Sequence, residues 1–260
     1  MAEGGIKPIV LDQGDLGQGA SGVNAGTLSL QIKRVKLMPY ALRGHQEWES
    51  MGDAVGFRKT GGYTLAFTDH EAELLQERMR LKVDAGAPIE FVSNRVLNQA
   101  EPNLADRVVA ASYCAEDGYA NSSLTGQFYR AKLKQQGVQY REGFKVLGVE
   151  ACNDGYVIRS TNSSVKAKKL LLSAGAWLKP LAALMDVELP VQARINTVSV
   201  TERLPMLMRS VIGHATGLLT MKQKANGTLL IGGGWQGRGT PEQGRGQIDT
   251  DSLRSNLALA

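Results

Sequence analysis

The chain has 260 residues, of which 43% are hydrophobic and 21% charged, as is typical of a soluble globular protein long enough to bury a large core. Its net charge of +5 is modest, and its basic residues are dispersed without interleaved aromatic residues, which argues against nucleic-acid binding. The two cysteines, Cys114 and Cys152, lack metal-ligand spacing, and no segment has the character of a signal peptide or a membrane span.

Apolar periodicity and turn residues predict a mixture of strands and helices. In chain order, the predicted elements up to residue 175 are strand 6–11, helix 35–51, strand 61–67, helix 69–84 capped by Asp69, strands 89–92 and 108–113, helix 122–136 capped by Asn121, and strands 138–140, 145–151, 155–161 and 169–175. After Pro190 we expect a strand in 191–202, a hairpin over 217–234 that turns at Asn226-Gly227, and a helix from about Asp251. This order predicts an α/β (α+β) protein in which a parallel nucleotide-binding layer is interleaved with an antiparallel sheet.

The first strand ends in a carboxylate that is followed by a glycine-dense segment. Asp12 comes directly after the apolar run Ile9–Leu11, and glycines occupy positions 14, 17, 19, 22 and 26. An aspartate at the end of such a strand can accept hydrogen bonds from the vicinal hydroxyls of a ribose, and small residues let backbone amides approach a ligand. Taken alone, Asp12 fits an ordinary turn aspartate better, but five glycines in thirteen residues favour a cofactor-binding loop.

Two later segments contain similar small residues. The stretch LLLSAGAWL (170–178) fits either an apolar strand that passes close to a flat ligand or a core strand that leads into a helix. The stretch IGGGWQG (231–237) contains G-x-G-x-x-G after a strand, but Pro241 and further glycines follow where a nucleotide-binding motif requires a helix. We therefore interpret 231–237 as a strand that faces a binding cavity. A helix over 238–250 would instead favour a nicotinamide-dependent dehydrogenase.

The histidines show no metal spacing and no arrangement of catalytic-triad type. His214 is a candidate for a substrate pocket, although a surface or hydrogen-bonded core histidine fits better. Trp235 and Trp177, next to small residues, can either line a pocket or pack in the core. We predict no metal site and assign no catalytic acid or base.

Taken in order, four segments resemble the D-amino-acid oxidase superfamily of flavoproteins, which includes glycine oxidase, sarcosine oxidase and D-amino-acid dehydrogenases. The segments are IVLDQGDLGQGASGVNAG (9–26), DGYANSSLTGQFYRAKLKQQGVQYREGFKVLGVE (117–150), KKLLLSAGAWLKPL (168–181) and LLTMKQKANGTLLIGGG (218–234). The resemblance covers nearly the whole chain, and the ordered set is more specific than any single segment.

The resemblance implies a role for each matching position. Asp12 would hold the adenosine ribose of FAD, with Gln13 beside it, and Val146 would present its backbone to the adenine. The pyrophosphate and isoalloxazine would lie against small and polar residues of the first loop, and the third segment would lie near the flavin. The residues concerned are Ala20, Ser21, Asn24, Ala25 and Gly26 in the loop and Ala174, Gly175 and Trp177 in the third segment. Because Val23 and Asn24 stand where some relatives carry a flavin-linked histidine, we expect non-covalent FAD.

The chain also departs from the family pattern at both ends. The N-terminal strand with G-x-G-x-x-G is absent before Asp12, and so is the C-terminal segment that usually returns to the flavin. We therefore expect a protein truncated at both ends, whose 260 residues alone bind FAD poorly or not at all. The expected division is an incomplete FAD-binding domain, formed by 1–44 and 121–180 and lacking its first strand, and a substrate domain, formed by 45–120 and 181–260 with a mixed or antiparallel sheet.

The function that the resemblance implies is oxidation of the C–N bond of an amine or amino acid, of the D-amino acid, glycine or N-methyl amino acid class, by hydride transfer to flavin N5. The electron acceptor would be oxygen, a quinone or a partner subunit. The alternative is a catalytically inactive fragment or a non-catalytic subunit of a flavoprotein complex. We expect a cytoplasmic location, at most peripheral to the inner face of a membrane, and no nucleic-acid partner.

Overall fold

The computed structural model describes residues 1–104, 107–244 and 246–260 and contains a mixed α/β fold, which confirms the predicted class. The strands are β1 (Ile9–Leu11), β2 (Thr27–Leu28), β3 (Arg58–Lys59), β4 (Gly62–Ala66), β5 (Ile89–Val92), β6 (Ala110–Cys114), β7 (Gly118–Tyr119), β8 (Gln139–Arg141), β9 (Gly148–Cys152), β10 (Gly155–Arg159), β11 (Ser164–Ala167), β12 (Ser199–Arg203), β13 (Val211–His214), β14 (Thr220–Gln223) and β15 (Thr228–Gly232). The α-helices are α1 (Ala20–Val23), α2 (Met38–Met51), α3 (Asp69–Asp84), α4 (Asn94–Ala100), α5 (Thr125–Gln135), α6 (Leu178–Ala183) and α7 (Thr250–Leu259). None of the helices in these described ranges is both long and apolar enough to cross a bilayer.

The chain forms two compact units, and the first contains the predicted cofactor strand. Unit 1 comprises Met1–Asn24, Ser122–Ile195 and Gly239–Gly246. In it β1 pairs in parallel with β8, so that Leu11 lies opposite Arg141. Strands β9, β10 and β11 form a separate antiparallel sheet whose side chains pack with those of β1 around Phe144. Because β1 and β8 are parallel and in register, the residues that follow them, Asp12 and Glu142, leave the sheet at the same edge.

Unit 2 is built on a larger sheet. It comprises Ala25–Asn121, Asn196–Arg238 and Gln247–Ala260. Its seven strands run in the order β12-β15-β14-β13-β4-β6-β5, and all neighbours are antiparallel except the parallel pair β13 and β4. Strands β2, β7 and β3 form a second sheet of three. A buried polar network joins the segment after β2 to the large sheet, because Asp117 accepts from the Leu30 amide and Ser112 donates to Gln31.

Local sequence signals account for the long helices. Helix α3 spans the predicted 69–84, but its N-cap is Thr68, whose hydroxyl accepts from the Glu71 amide, and not Asp69. The helix predicted over 122–136 is present as a 3₁₀ turn, Ser122–Leu124, followed by α5. The hairpin of β14 and β15 turns where predicted, with Gly227 at a φ of +89°.

The strand predicted over 169–175 is wrong. The backbone from Leu170 to Ser173 makes no backbone hydrogen bond with any described residue, and the Leu171 side chain is 66% exposed. An apolar run becomes a strand only where a neighbouring strand completes the ladder, which the sequence pattern of the run itself does not reveal. Conversely, the structure contains strands that the sequence pattern does not predict, namely β2, β3, β7, β11 and β13.

Candidate functional site

Asp12 closes the turn that follows β1. Its Oδ1 accepts a hydrogen bond from the Gly14 amide at 2.9 Å, which forms an Asx turn. In the described part of the chain Oδ2 makes no hydrogen bond, and the residue is half-buried. Gln13 beside it is exposed. A half-buried carboxylate with one free oxygen is suited to accept hydrogen bonds from a ligand hydroxyl.

The backbone around Asp12 is fixed by the turn that follows β8. The amide of Asp12 donates to the Arg141 carbonyl at 3.0 Å, and the Phe144 amide donates back to the Asp12 carbonyl at 2.7 Å. The Gly143 amide donates to the Gly14 carbonyl at 3.2 Å. These bonds use the main chain of residues 12 and 14 internally, so the Asp12 side chain is the group at this turn that remains available to a ligand.

Glu142 is a functional candidate that the sequence analysis missed. Its Oε1 accepts from the Leu16 amide at 2.7 Å and from Arg130 at 2.5 Å, and the hydrogen bond with Arg130 lowers the pKa of this carboxyl. Glu142 therefore ties the loop after β1 to α5. The available signal was an acid directly after each of two parallel strands, Asp12 after β1 and Glu142 after β8.

Most glycines of the first loop serve packing within the protein. A methyl group added at Gly17 would meet the Gly126 Cα at the start of α5, and one added at Gly22 would overlap the Gly17 carbonyl. Gly17 also has a φ of +81°, which favours glycine. Only at Gly14 does an added methyl meet open space within the part of this loop that belongs to unit 1. The interpretation that all these glycines admit a ligand is thus too broad, because close chain packing explains positions 17 and 22.

The remaining loop residues fall on both sides of the unit boundary at 24/25. Ala20 and Ser21 are exposed on α1, whereas the Asn24 amide group donates to the Ala20 and Ser21 carbonyls at 2.8 and 3.0 Å and so ends the helix. In unit 2, Ala25 is half-buried, and the Gly26 carbonyl accepts from the Ala120 amide, with a φ of +70° at Gly26.

Val146 of the second segment and Gly175 of the third leave backbone or space open to a ligand. Val146 packs its side chain against the core around Phe144, while its amide and carbonyl form no hydrogen bond with described residues. Gly175 has a φ of +54° and open space where a side chain would stand. Trp177, half-buried, lies against the loop, since a methyl group added at Gly19 would come 3.4 Å from its ring. Ala174 is also half-buried, and its carbonyl accepts from the Trp177 amide at 3.0 Å.

Unit 1 contains a buried hydroxyl that no described residue satisfies. Thr125 begins α5 next to Gly126, and its Oγ1 is buried without a hydrogen-bond partner. A buried polar atom of this kind costs free energy unless a ligand or water forms a hydrogen bond with it.

A cleft of about 590 Å³ lies between the turns 141–144 and 160–163, and none of the sequence-predicted residues lines it.

His214 and Trp235 meet at one turn of unit 2. His214 Nδ1 accepts from the Gly217 amide at 2.9 Å, and Trp235 Nε1 donates to the Leu218 carbonyl at 2.6 Å. The His214 ring also stacks on Phe67. Both side chains hold the turn after β13, and the sheet geometry explains their polar contacts without a substrate.

The glycines at 231–237 do not begin a helix. After β15 the chain passes through isolated bridges at Gln236 and Arg238, then a 3₁₀ turn, Pro241–Gln243, and the next α-helix is α7 from Thr250. Arg245 lies outside the described residues. The nicotinamide alternative required a helix over 238–250, and the described residues of that range do not form one.

Comparisons with known proteins agree with this architecture. The family model described as DAO, FAD dependent oxidoreductase, matches residues 1–260. A subunit of opine oxidase from Rhizobium meliloti is 29% identical over 251 residues, covering 89% of this chain and 65% of that protein. Glycine oxidase of Geobacillus kaustophilus is 25% identical over 236 residues, covering 86% and 62%, and its crystal structure aligns with a TM-score of 0.78 at 22% identity, covering 86% of this chain and 63% of that chain. The crystal structure of L-proline dehydrogenase from P. horikoshii aligns with a TM-score of 0.81 at 18% identity, covering 90% and 65%. The chain thus spans somewhat less than two thirds of these relatives.

Proposed function

Since this chain belongs to the family of FAD-dependent oxidoreductases, whose model it matches over residues 1–260, we propose that unit 1 binds FAD non-covalently. The observation that carries the proposal is the Asp12 carboxylate, which ends a parallel strand with one oxygen free beside the open space at Gly14. A carboxylate at that place in a nucleotide-binding layer accepts hydrogen bonds from vicinal ribose hydroxyls.

The residues of unit 1 fit such a ligand. The unpaired backbone of Val146 is suited to the edge of an adenine, which both donates and accepts hydrogen bonds. The open space at Gly175 lets the main chain approach a flat ring closely, and the unsatisfied Thr125 hydroxyl offers a further polar contact. We propose that the exposed residues Ala20 and Ser21 line the cofactor, together with Gln13, Asn24, Ala174 and Trp177, all of unit 1. Unit 1 is then the FAD-binding part and unit 2 the substrate-binding part.

The proposed reaction is oxidation of the C–N bond of an amine or amino acid, of the D-amino acid, glycine or N-methyl amino acid class. Bound flavin supplies the hydride acceptor, and the protein supplies orientation and exclusion of water. One relative is named as a subunit of opine oxidase and another as glycine oxidase, which supports a small amine or amino acid as substrate. The proposed electron acceptor is oxygen, a quinone or a partner subunit, and the proposed location is cytoplasmic.

Substitution of Asp12 tests the proposal. FAD is titrated into the chain and its Asp12→Ala variant up to millimolar concentration, and binding is followed by flavin fluorescence and by backbone amide shifts. We expect Asp12→Ala to weaken FAD binding by about 1–3 kcal/mol, since it removes charge-assisted hydrogen bonds to the ribose. The amides of Gly14, Val146 and Gly175 should shift in the unsubstituted chain.

Asp15→Ala is the matched control, because Asp15 is exposed three residues further on and its side chain makes no hydrogen bond with described residues. It should bind FAD as the unsubstituted chain does. Equal affinity of the Asp12→Ala variant would refute the assignment of Asp12. FAD binding that leaves all three amides unshifted would refute the proposal that unit 1 holds the cofactor. An amine and amino-acid panel with an artificial electron acceptor then tests the reaction.

A further inference from the structure

A continuous segment of unit 2 exposes apolar and basic side chains together. In residues 32–40, which we call the 32–40 surface, Ile32, Val35, Leu37 and Tyr40 are 47, 37, 44 and 77% exposed. Single exposed apolar residues are common on soluble proteins, but four within nine consecutive residues form a patch that requires an explanation.

The 32–40 surface is held rigidly at both ends. Leu30 and Met38 are completely buried in the same core cluster. Between them the Lys33 amide donates to the Leu30 carbonyl at 3.1 Å, and the Leu37 amide donates to the Arg34 carbonyl at 2.9 Å. Ile32, Val35 and Leu37 therefore project from a hydrogen-bonded turn and Tyr40 from the first turn of α2, and their exposure does not result from a loose end of the chain.

The charge of the 32–40 surface has one sign. Lys33, Arg34 and Lys36 lie among the apolar side chains and form no ion pair with described residues. The sequence from residue 16 to residue 46 contains no aspartate or glutamate. Among the acids that follow, Glu47 is paired with Arg43, and Glu116 is paired with Lys59. A partner for this surface must supply both apolar area and negative charge.

We propose that the 32–40 surface docks on the face of a bilayer that contains anionic lipids. Aliphatic side chains enter the boundary between headgroups and acyl chains, tyrosine is suited to the interface, and the cations bind acidic headgroups. This inference goes beyond the proposed flavin chemistry and does not depend on it, because vesicle binding is measured without FAD.

Co-sedimentation with vesicles tests the proposal. The probe is phosphatidylcholine vesicles with about 30 mol % phosphatidylglycerol, compared with vesicles of phosphatidylcholine alone. We expect binding to the anionic vesicles that weakens as salt is raised. The triple variant Lys33→Gln, Arg34→Gln, Lys36→Gln should bind roughly 100-fold more weakly, and Leu37→Ser with Tyr40→Ser should also bind more weakly at unchanged net charge.

The matched control is Lys166→Gln, Lys168→Gln, Lys169→Gln, which removes the same charge from exposed positions of unit 1. It should retain most of the binding. The proposal is overturned if the unsubstituted chain ignores anionic vesicles, or if both triple variants lose binding equally, since net charge would then suffice. It is also overturned if the chain self-associates without lipid and Leu37→Ser with Tyr40→Ser abolishes this, because the surface would then join two copies. Circular dichroism checks that each variant is folded.

Discussion

Two stretches of this chain, 14–26 and 231–237, are both rich in glycine but have different structural settings. In the first, a carboxylate ends a parallel strand, and the loop folds back so that Gly17 packs on α5. In the second, an antiparallel hairpin ends, and Gly233 packs against the Leu218 carbonyl with a φ of +139°. Only the first stretch contains a helix, the four-residue α1.

The comparison teaches that glycine spacing does not distinguish a ligand loop from close packing of two chain segments. In both stretches some glycines leave no room for a methyl group, because other backbone lies against them. At Gly14 and Gly234 an added methyl group would meet open space. What separates the stretches is the neighbouring chemistry, a free carboxylate oxygen at Asp12 against a tryptophan that is hydrogen-bonded to its own unit.

The largest expected effect is that of Gly22→Ala. The added methyl would overlap the Gly17 carbonyl, so the loop must move away from α1. We expect the free energy of unfolding to fall by about 3 kcal/mol, as for an overpacked site that cannot relax easily. Chemical denaturation of the two proteins measures the difference.

Gly14→Ala is the control for this substitution, because its methyl meets open space and its φ is not in the left-handed region. We expect a change within about 0.5 kcal/mol. If both substitutions destabilise the protein equally, the packing of residues 17 and 22 does not explain the loss.

A second pair of variants tests the hairpin stretch. Gly233→Ala places a methyl on the Leu218 carbonyl at a φ that side chains avoid, and we expect a loss of about 2 kcal/mol. Gly232→Ala, whose nearest atom is Val198 Cγ2 at 3.6 Å, should be nearly neutral. Thermal unfolding followed by circular dichroism separates the two. In neither variant should FAD affinity change, and a selective loss of FAD affinity in both would revive a nucleotide role for 231–237.

The sequence was sufficient where local signals decide the structure. The acidic residues of its early turns and the basic residues of its late turns predicted the bounds of α3 within one residue, although its N-cap is Thr68 and not Asp69, and the Asn226-Gly227 pair predicted the β14–β15 turn. Asp12 was predicted at a strand end because an acid after an apolar run is itself a local pattern.

Long-range partners decided what the sequence did not reveal. Glu142 reaches Leu16 across 126 positions, and no local pattern in either segment encodes that contact. Leu170–Ala174 is as apolar as a core strand, yet it pairs with no strand among the described residues. Whether an apolar run forms a strand depends on a neighbouring strand, which its own residues do not specify. Position 17 likewise requires glycine because it packs on Gly126 of α5, a contact that only the folded structure reveals.

The effect most specific to a single group concerns Lys222 of the hairpin that leads into the second stretch. Its side chain is buried, and its Nζ donates to Thr27 Oγ1 at 2.5 Å, directly after the first stretch. Burial, together with the nearby Lys224, lowers the pKa of Lys222 to about 7. Between that value and the ordinary lysine pKa near 10.4, the unfolded chain binds one more proton than the folded chain, so Lys222 makes stability rise with pH across this window, by up to about 1.4 kcal/mol per pH unit. Denaturation at several pH values from 7 to 10 should show this rise, and Lys222→Met should remove it, whereas Lys224→Met should retain it. Parallel stability curves for the unsubstituted chain and Lys222→Met would mean that water reaches the ammonium group, and that the hairpin is less tightly packed on Thr27 than its geometry indicates.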